Sequence, residues 1–389
     1  MPERVPARGD LSQLVACVMN DTIALTVDGA TVEVPVGASI LDACDLAGSY
    51  VPRLCAYPGL EPLGDCGLCF VKVDGGAARR ACSVTAAEGM VIDTLDAEAL
   101  GFRASSMKAI LGDHPHVCLT CPQRDGCSRD DCTYGNPPEE RCCREFGRCE
   151  IAKVAAFVGA LETAPLYVHR CLGEVVDHNI RRDLDQCIGC GRCVTACDRL
   201  EEAGSALVLV ETDTLLAAGL PKPQSYLGRH LAVPKADDLR ASGCTFCGAC
   251  VMVCPTGALT AAGKNGTAWL ASRRERSTLR APVLPPEQRL ALAAEVIEAE
   301  VPAREGVFRL FDADGGVLMI SGVIDLRAAL LASLHGSLAG EACMFRFEED
   351  PMYTQRESEM LAHYLQEHGR MPKGNDVLGD LSGDDDDGC

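Results

Sequence analysis

Two cysteine runs in the middle of the chain share one spacing. Cys187, Cys190, Cys193 and Cys197 form C-x2-C-x2-C-x3-C; Cys244, Cys247, Cys250 and Cys254 repeat it and end on Cys254-Pro255-Thr256-Gly257. Thiolates spaced this way wrap [4Fe–4S] cubanes, with three ligands from one run and the fourth crossing over from the other. One cubane is therefore expected on Cys187, Cys190, Cys193 and Cys254, and a second on Cys244, Cys247, Cys250 and Cys197. Gly189, Gly191 and Gly248 let the backbone wrap closely and offer its amides to the sulfurs.

A second pattern lies nearer the N-terminus. Cys55, Cys66, Cys69 and Cys82 supply four thiolates, enough for a [2Fe–2S] centre with two tetrahedral irons. The Cys66-x2-Cys69 pair on a tight loop containing Gly67 is expected to reach one iron, and the distant cysteines to close the other. A zinc ion on the same four thiolates is the competing reading. Between these sets stands His114-Pro115-His116-Val117-Cys118-Leu119-Thr120-Cys121. An imidazole four residues before a C-x2-C suggests a His/Cys3 [4Fe–4S] cluster on His114, Cys118, Cys121 and a third cysteine, either Cys127 or Cys149. His116 is the nearby competitor. Whichever serves, four of Cys127, Cys132, Cys142, Cys143 and Cys149 are left over, enough for an extra site holding zinc or a further cluster. Cys44, on an apolar helix face, reads as core.

The remaining composition says where such centres would work. With 24 cysteines in 389 residues, a disulfide framework is the wrong reading, and a reducing, cytoplasmic compartment is expected. The net charge of −20 disfavours nucleic acid, whose phosphates would be repelled. Residues 1–10 carry charges and two prolines, so they do not read as a signal peptide. No stretch approaches the roughly 18 apolar residues of a membrane span.

The elements that must position these cysteines are legible in outline. Thr22–Val27 alternates, Asp28-Gly29 makes a hairpin turn, and 31–36 alternates back. Ser39 caps a helix through Ile40, Leu41, Cys44 and Leu46. The cysteine loop follows, then strand Phe70–Val73 and a turn at Asp74-Gly75-Gly76. This ββα-loop-β order suits a β-grasp domain. Residues 96–165 read as helical, interrupted by 118–149. A basic, proline-bearing linker covers 273–286, and a helix is expected over 287–298. Beyond it come a hairpin (307–311, 317–320), a helix, strand 344–347 and another helix. The tail, 377–389, is acidic and reads as disordered.

Taken in order, Leu54-Cys55, Asp65-Cys66-Gly67-Leu68-Cys69, Ala81-Cys82, Glu88-Gly89-Met90, the motif from His114 to Cys121 and Cys187-Ile188-Gly189-Cys190-Gly191-Arg192-Cys193-Val194 resemble a known arrangement. It is the N-terminal iron–sulfur region of the large iron–sulfur subunit in complex I's NADH-dehydrogenase module, shared by [FeFe] hydrogenases and NAD-dependent formate dehydrogenases. The resemblance covers 22–262. It implies an α+β multidomain chain: a β-grasp [2Fe–2S] domain (20–96), a helical His/Cys3 [4Fe–4S] domain with a cysteine-rich insertion (97–168) and a two-[4Fe–4S] ferredoxin-like domain (169–272). A linker and helix (273–304) lead to a small C-terminal α/β domain (305–376). The cofactors expected are one [2Fe–2S] and three [4Fe–4S] centres, with a further cluster or zinc on the extra cysteines. The implied partners are a flavin- and NAD(H)-binding subunit and a separate catalytic or acceptor subunit.

The relatives continue into a molybdopterin-type or hydrogen-cluster domain, and this chain has no motif for either. Its Gly306-Val307-Phe308, Met319-Ile320-Ser321, Asp325-Leu326-Arg327 and Pro372-Lys373-Gly374-Asn375 weakly resemble a GIY-YIG nuclease domain. Phe308 and Met319 stand at the tyrosine positions and Ala329 near the catalytic arginine, so a catalytically degenerate docking module is expected. The expected function is electron relay within a multi-subunit NAD(P)H-linked oxidoreductase, without substrate chemistry in this chain. A redox sensor and a nuclease-like protein with structural clusters are the alternatives.

Overall fold

The computed structural model describes residues 22–121, 132, 134–137, 140–142, 149–160, 163–165, 167, 173–200, 206–211, 228–234, 238–286 and 289–376. They form two compact units that divide between Pro285 and Pro286. Among the described residues no helix is long and apolar enough to cross a membrane.

The first unit opens with the expected hairpin, β1 (Thr22–Val27) and β2 (Ala30–Pro35) in antiparallel register. Asp28 and Gly29 both take positive φ, 50° and 84°, the backbone that a two-residue turn between right-twisted strands requires. Helix α1 (Ile40–Leu46) starts on a reciprocal cap: the Asp42 amide donates to Ser39 Oγ, and the Ser39 amide donates to the Asp42 carboxylate. Strands β3 (Phe70–Val73), β4 (Ala78–Arg80) and β5 (Val91–Asp93) complete a sheet ordered β2-β1-β5-β3-β4, with β1 and β5 parallel. Alternating Leu25, Val27, Val34, Val71 and Ile92 bury one face against Ile40, Leu41 and Cys44 of α1. Cys44 lies in that core, where burial pushes its thiol up to about 12.

Asp96 caps α2 (Ala97–Gly112), whose Arg103 donates to the carbonyl of Phe70 and so ties the helix to β3. Helix α3 (Glu150–Val158) packs beside α2 and ends at Gly159, φ 73°. Next come β6 (Glu174–Asp177), β7 (Ile180–Asp183), α4 (Arg192–Leu200), β8 (Val208–Glu211), β9 (Arg229–Ala232), α5 (Ala249–Val253), β10 (Leu259–Ala261) and α6 (Gly266–Arg274). One small sheet runs β10-β7-β6, another pairs β8 with β9, and α4 packs against α5.

The second unit holds a four-stranded antiparallel sheet, order β11-β14-β12-β13, from β11 (Leu290–Ala291), β12 (Gly306–Phe311), β13 (Val317–Val323) and β14 (Met344–Glu349). Helices α7 (Ala294–Glu300), α8 (Leu326–Ser333) and α9 (Tyr353–His368) accompany it. Ile297, Leu310, Leu326, Leu330 and Phe345 share its core. The helix expected over 287–298 is corrected here. Leu290 and Ala291 instead pair with Phe345 and Met344 at the sheet edge, and the helix begins at Ala294. An exposed edge leaves backbone groups to be paired, and that gain outweighs the helical propensity of two residues. Phe308 is buried in the core, and Met319 packs against it.

Candidate functional site

The four N-terminal cysteines meet at the end of the five-stranded sheet. Cys55 Sγ lies 3.4 Å from Cys66 Sγ, and Cys69 Sγ lies 3.4 Å from Cys82 Sγ. Two thiolates on one tetrahedral metal with bonds of about 2.3 Å stand roughly 3.8 Å apart, so each pair has the bite of one iron. Cys55 also hydrogen-bonds Cys82, so the four thiols close into one group. Gly67, φ 67°, turns the loop between Cys66 and Cys69. Cys55, Cys66 and Cys69 are buried, and hydrogen bonding from neighbouring thiols and amides lowers Cys55 and Cys69 while Cys66 is raised.

The two repeated runs close round two separate cavities. One is lined by Cys187, Cys190, Cys193 and Cys254 with Leu209, Leu231 and Leu259. The other is lined by Cys197, Cys244, Cys247 and Cys250 with Ile180, Leu207 and Leu239. The fourth cysteine of each run crosses to the other cavity because α4 and α5, which carry Cys197 and Cys254 past the first three, pack against each other. Four thiols in a mostly apolar lining, with one threonine in each (Thr256 and Thr245) and no carboxylate, suit an iron–sulfur cubane. Among the described residues no three His, Cys, Asp or Glu side chains converge tightly enough for a single ion. A cubane's ligands each hold a different iron and so line a wider space.

Both loops present their amides to sulfur in the same way. The Gly189 amide donates to Cys187 Sγ at 3.4 Å, and the Phe246 amide donates to Cys244 Sγ at 3.3 Å. Gly189 and Phe246, equivalent in the repeat, both take positive φ, 70° and 56°. Burial raises the thiols of Cys190, Cys193, Cys250 and Cys254; a bound iron's charge would remove those protons.

The histidine-bearing set is less complete. His114 and His116 are both buried, and His116 Nδ1 lies 2.9 Å from the carbonyl oxygen of His114. Cys118, Cys142 and the half-buried Cys149 share one apolar core. The Cys142 amide donates to Cys118 Sγ at 3.4 Å, and its own thiol donates to the Pro115 carbonyl. Cys142, counted from sequence only among the leftovers, is thus built into this site; spacing gave no signal of it. Cys121 and Cys132 are half-buried. Cys127 and Cys143 lie outside the described residues.

That same core contains Leu54, Cys55, Cys66 and Leu68 on one side and Ile188 and Cys190 on another. Three of the cysteine sites therefore border one water-excluded interior. At its edge Arg192, whose side chain is 1% exposed, pairs with Glu150 at 2.7 Å. Sequence reading missed this pair, since nothing in spacing links residues so far apart.

Residues 20–97 match the 2Fe-2S iron-sulfur cluster binding domain family, and residues 183–258 match the 4Fe-4S dicluster domain family. The chain therefore carries one domain of each of these two kinds. It is similar to part of the length of three kinds of oxidoreductase or oxidoreductase subunit. The NADP-reducing hydrogenase subunit HndD of Solidesulfovibrio fructosivorans is 29% identical over 253 residues, covering 61% of this chain and 36% of its own. An NADH-quinone oxidoreductase subunit of Rhizobium meliloti is 30% identical over 238 residues, covering 61% and 24%. A putative formate dehydrogenase of Staphylococcus haemolyticus is 26% identical over 265 residues, covering 68% and 23%. The chain thus spans between 23% and 36% of the length of these relatives. An NAD+-reducing [NiFe]-hydrogenase crystal structure aligns over 62% of this chain and 88% of its own, at 22% identity and TM-score 0.47, too loosely to carry weight.

Proposed function

We propose that this chain is the electron-transfer subunit of a multi-subunit NAD(P)H-linked oxidoreductase, standing between a flavin- and NAD(H)-binding subunit and a catalytic or acceptor subunit. The observation that carries the reading is the pair of apolar cavities, each closed by three cysteines of one run and the fourth of the other. Cys55, Cys66, Cys69 and Cys82 hold a [2Fe–2S] centre. Cys187, Cys190, Cys193 and Cys254 hold one [4Fe–4S] centre, and Cys244, Cys247, Cys250 and Cys197 a second. His114, Cys118, Cys121 and Cys149 hold a third; Cys149 is preferred because it heads α3 against the core that contains Cys118. When bound, such clusters take up and release single electrons. The chain's own part is to keep water out with Leu207, Leu231, Leu239 and Leu259, and to stabilise thiolate charge with amides such as those of Gly189 and Phe246. The second unit, folded round its own core, serves contact with a partner.

Metal analysis of anaerobically purified chain tests this reading. Roughly 14 irons per chain are expected from one [2Fe–2S] and three [4Fe–4S] centres, or about 18 if the cysteines at 127–143 hold another cubane. A Cys149→Ala chain should lose about four of them; Cys127→Ala should lose none from a chain of roughly 14 irons and about four from one of about 18. Zinc in place of iron, or NADH oxidation by the chain alone, overturns the proposal.

A further inference from the structure

One guanidinium joins the three cysteine sites that border the shared core. Arg192 lies between Cys190 and Cys193, Glu150 directly follows Cys149, and Ala56 directly follows Cys55. Arg192 Nη1 donates to Glu150 Oε2 at 2.7 Å, and Nη2 donates to Glu150 Oε1 at 2.8 Å and to the Ala56 carbonyl at 2.6 Å. The cation also stands over the Tyr57 ring, 5.4 Å from its centre. Its Nε is buried with no hydrogen-bond partner among the described residues, a donor left over beside the cysteine loops. Burial works against this charge, yet the Glu150 carboxylate more than offsets it and holds the Arg192 pKa above its ordinary value.

Two further arginines repeat the direction of the contact. Arg229 pairs with Asp65, next to Cys66, at 2.7 Å and donates through Nε to the Gly189 carbonyl at 3.1 Å. Arg199 donates to the carbonyl of Gly59. The segment from Ala56 to Asp65 is thus clamped by arginines of the dicluster region, and Arg192 alone among the three is wholly buried.

We propose that Arg192 and Glu150 are a positioning pair that locks the Cys55, Cys149 and Cys190 loops together and sets the electrostatic field on the clusters beside them. Their opposite charges cancel at a distance but not at the closest sulfurs, because in a water-excluded core a unit charge is felt far more strongly than in water. A nearby cation favours the reduced, more negative cluster, and a nearby carboxylate opposes it. Neutralising one partner at a time should therefore move reduction in opposite directions.

The proposal rests on the electron-carrier reading for its redox test, and on geometry alone for its second test. In redox titrations of the full, iron-loaded chain followed by EPR, Arg192→Met should lower the reduced-to-oxidised ratio of an adjoining centre at fixed potential. Glu150→Gln should raise it. Each change should be on the order of tenfold, as for a unit charge about a nanometre away at an effective dielectric of about 20. Simple loosening would move both variants the same way; shifts of one sign, or none, overturn the proposal. If the single variants lose iron, the Glu150→Met/Arg192→Met double decides: iron retained there supports the pair, and equal loss in all three overturns it. A wild-type chain without iron would sink the electron-carrier reading instead. Hydrogen exchange of the amides at 57–64 then still judges the clamp: faster exchange in Arg192→Met than in wild type at equal metal content upholds it, and unchanged exchange removes it.

Discussion

The crossing of the fourth cysteines is open to a stringent test by counting iron. Cys187 and Cys254 line one cavity, and Cys197 lines the other. Alanine is the substitution of choice, because a serine hydroxyl left unpaired in these apolar linings would itself cost about 1–3 kcal/mol. If two cysteines serve the same cubane, removing either costs about four irons of the roughly 14, and removing both costs no more than removing one. Cys187→Ala with Cys254→Ala should therefore leave about ten irons, like either single variant. Cys187→Ala with Cys197→Ala should leave about six, because two separate cubanes are lost. Iron and acid-labile sulfide per chain, measured anaerobically beside low-temperature EPR, give the counts. The reverse outcome, additive loss for 187/254 and none beyond the single for 187/197, would refute the crossing. It would also break the inference that α4 and α5 deliver their last cysteines across the unit.

Three other outcomes are expected. Gly189→Ala should strip iron from the cubane of Cys187, because an added Cβ would lie 2.4 Å from the Arg229 carbonyl oxygen. Phe246 occupies the equivalent left-handed position in the second run, so the contact rather than φ decides, and iron retained in full would say otherwise. Asp183 is raised to about 6, first by burial and then by the charge of Asp185. A raised carboxyl stabilises the fold below its ordinary pKa and loses that contribution as pH climbs through about 6. Asp183→Asn should therefore gain about 1–2 kcal/mol over wild type at pH 8 and little at pH 4, after discounting for partial exposure; thermal midpoints at the two pH values check it. Asn375 caps the β13 edge, its Oδ1 accepting from the Ile320 amide at 2.9 Å and its Nδ2 donating to the Ile320 carbonyl at 2.7 Å. Asn375→Ala should speed hydrogen exchange of the Ile320 amide about tenfold, the equivalent of one hydrogen bond of about 1.4 kcal/mol; unchanged exchange would show that water replaces the plug without loss.

By itself the sequence determined the local chemistry. The turns at Asp28-Gly29 and Asp74-Gly75 and the Ser39–Asp42 cap are contacts between near neighbours, so residue type was enough to place them. The repeated cysteine spacing likewise carries its own geometry, since three thiols three residues apart reach one cluster whatever surrounds them. Tertiary structure decided what depends on distant segments meeting. Cys55 reaches Cys66 across the loop, Cys142 reaches Cys118, and Leu290 leaves its expected helix for the sheet edge beside Phe345. Above all, Glu150 finds Arg192 across 42 positions of chain. No local pattern encodes that pairing; it exists because the packing of α2, α3 and the cysteine loops removes water from both charges and leaves each the other's best partner.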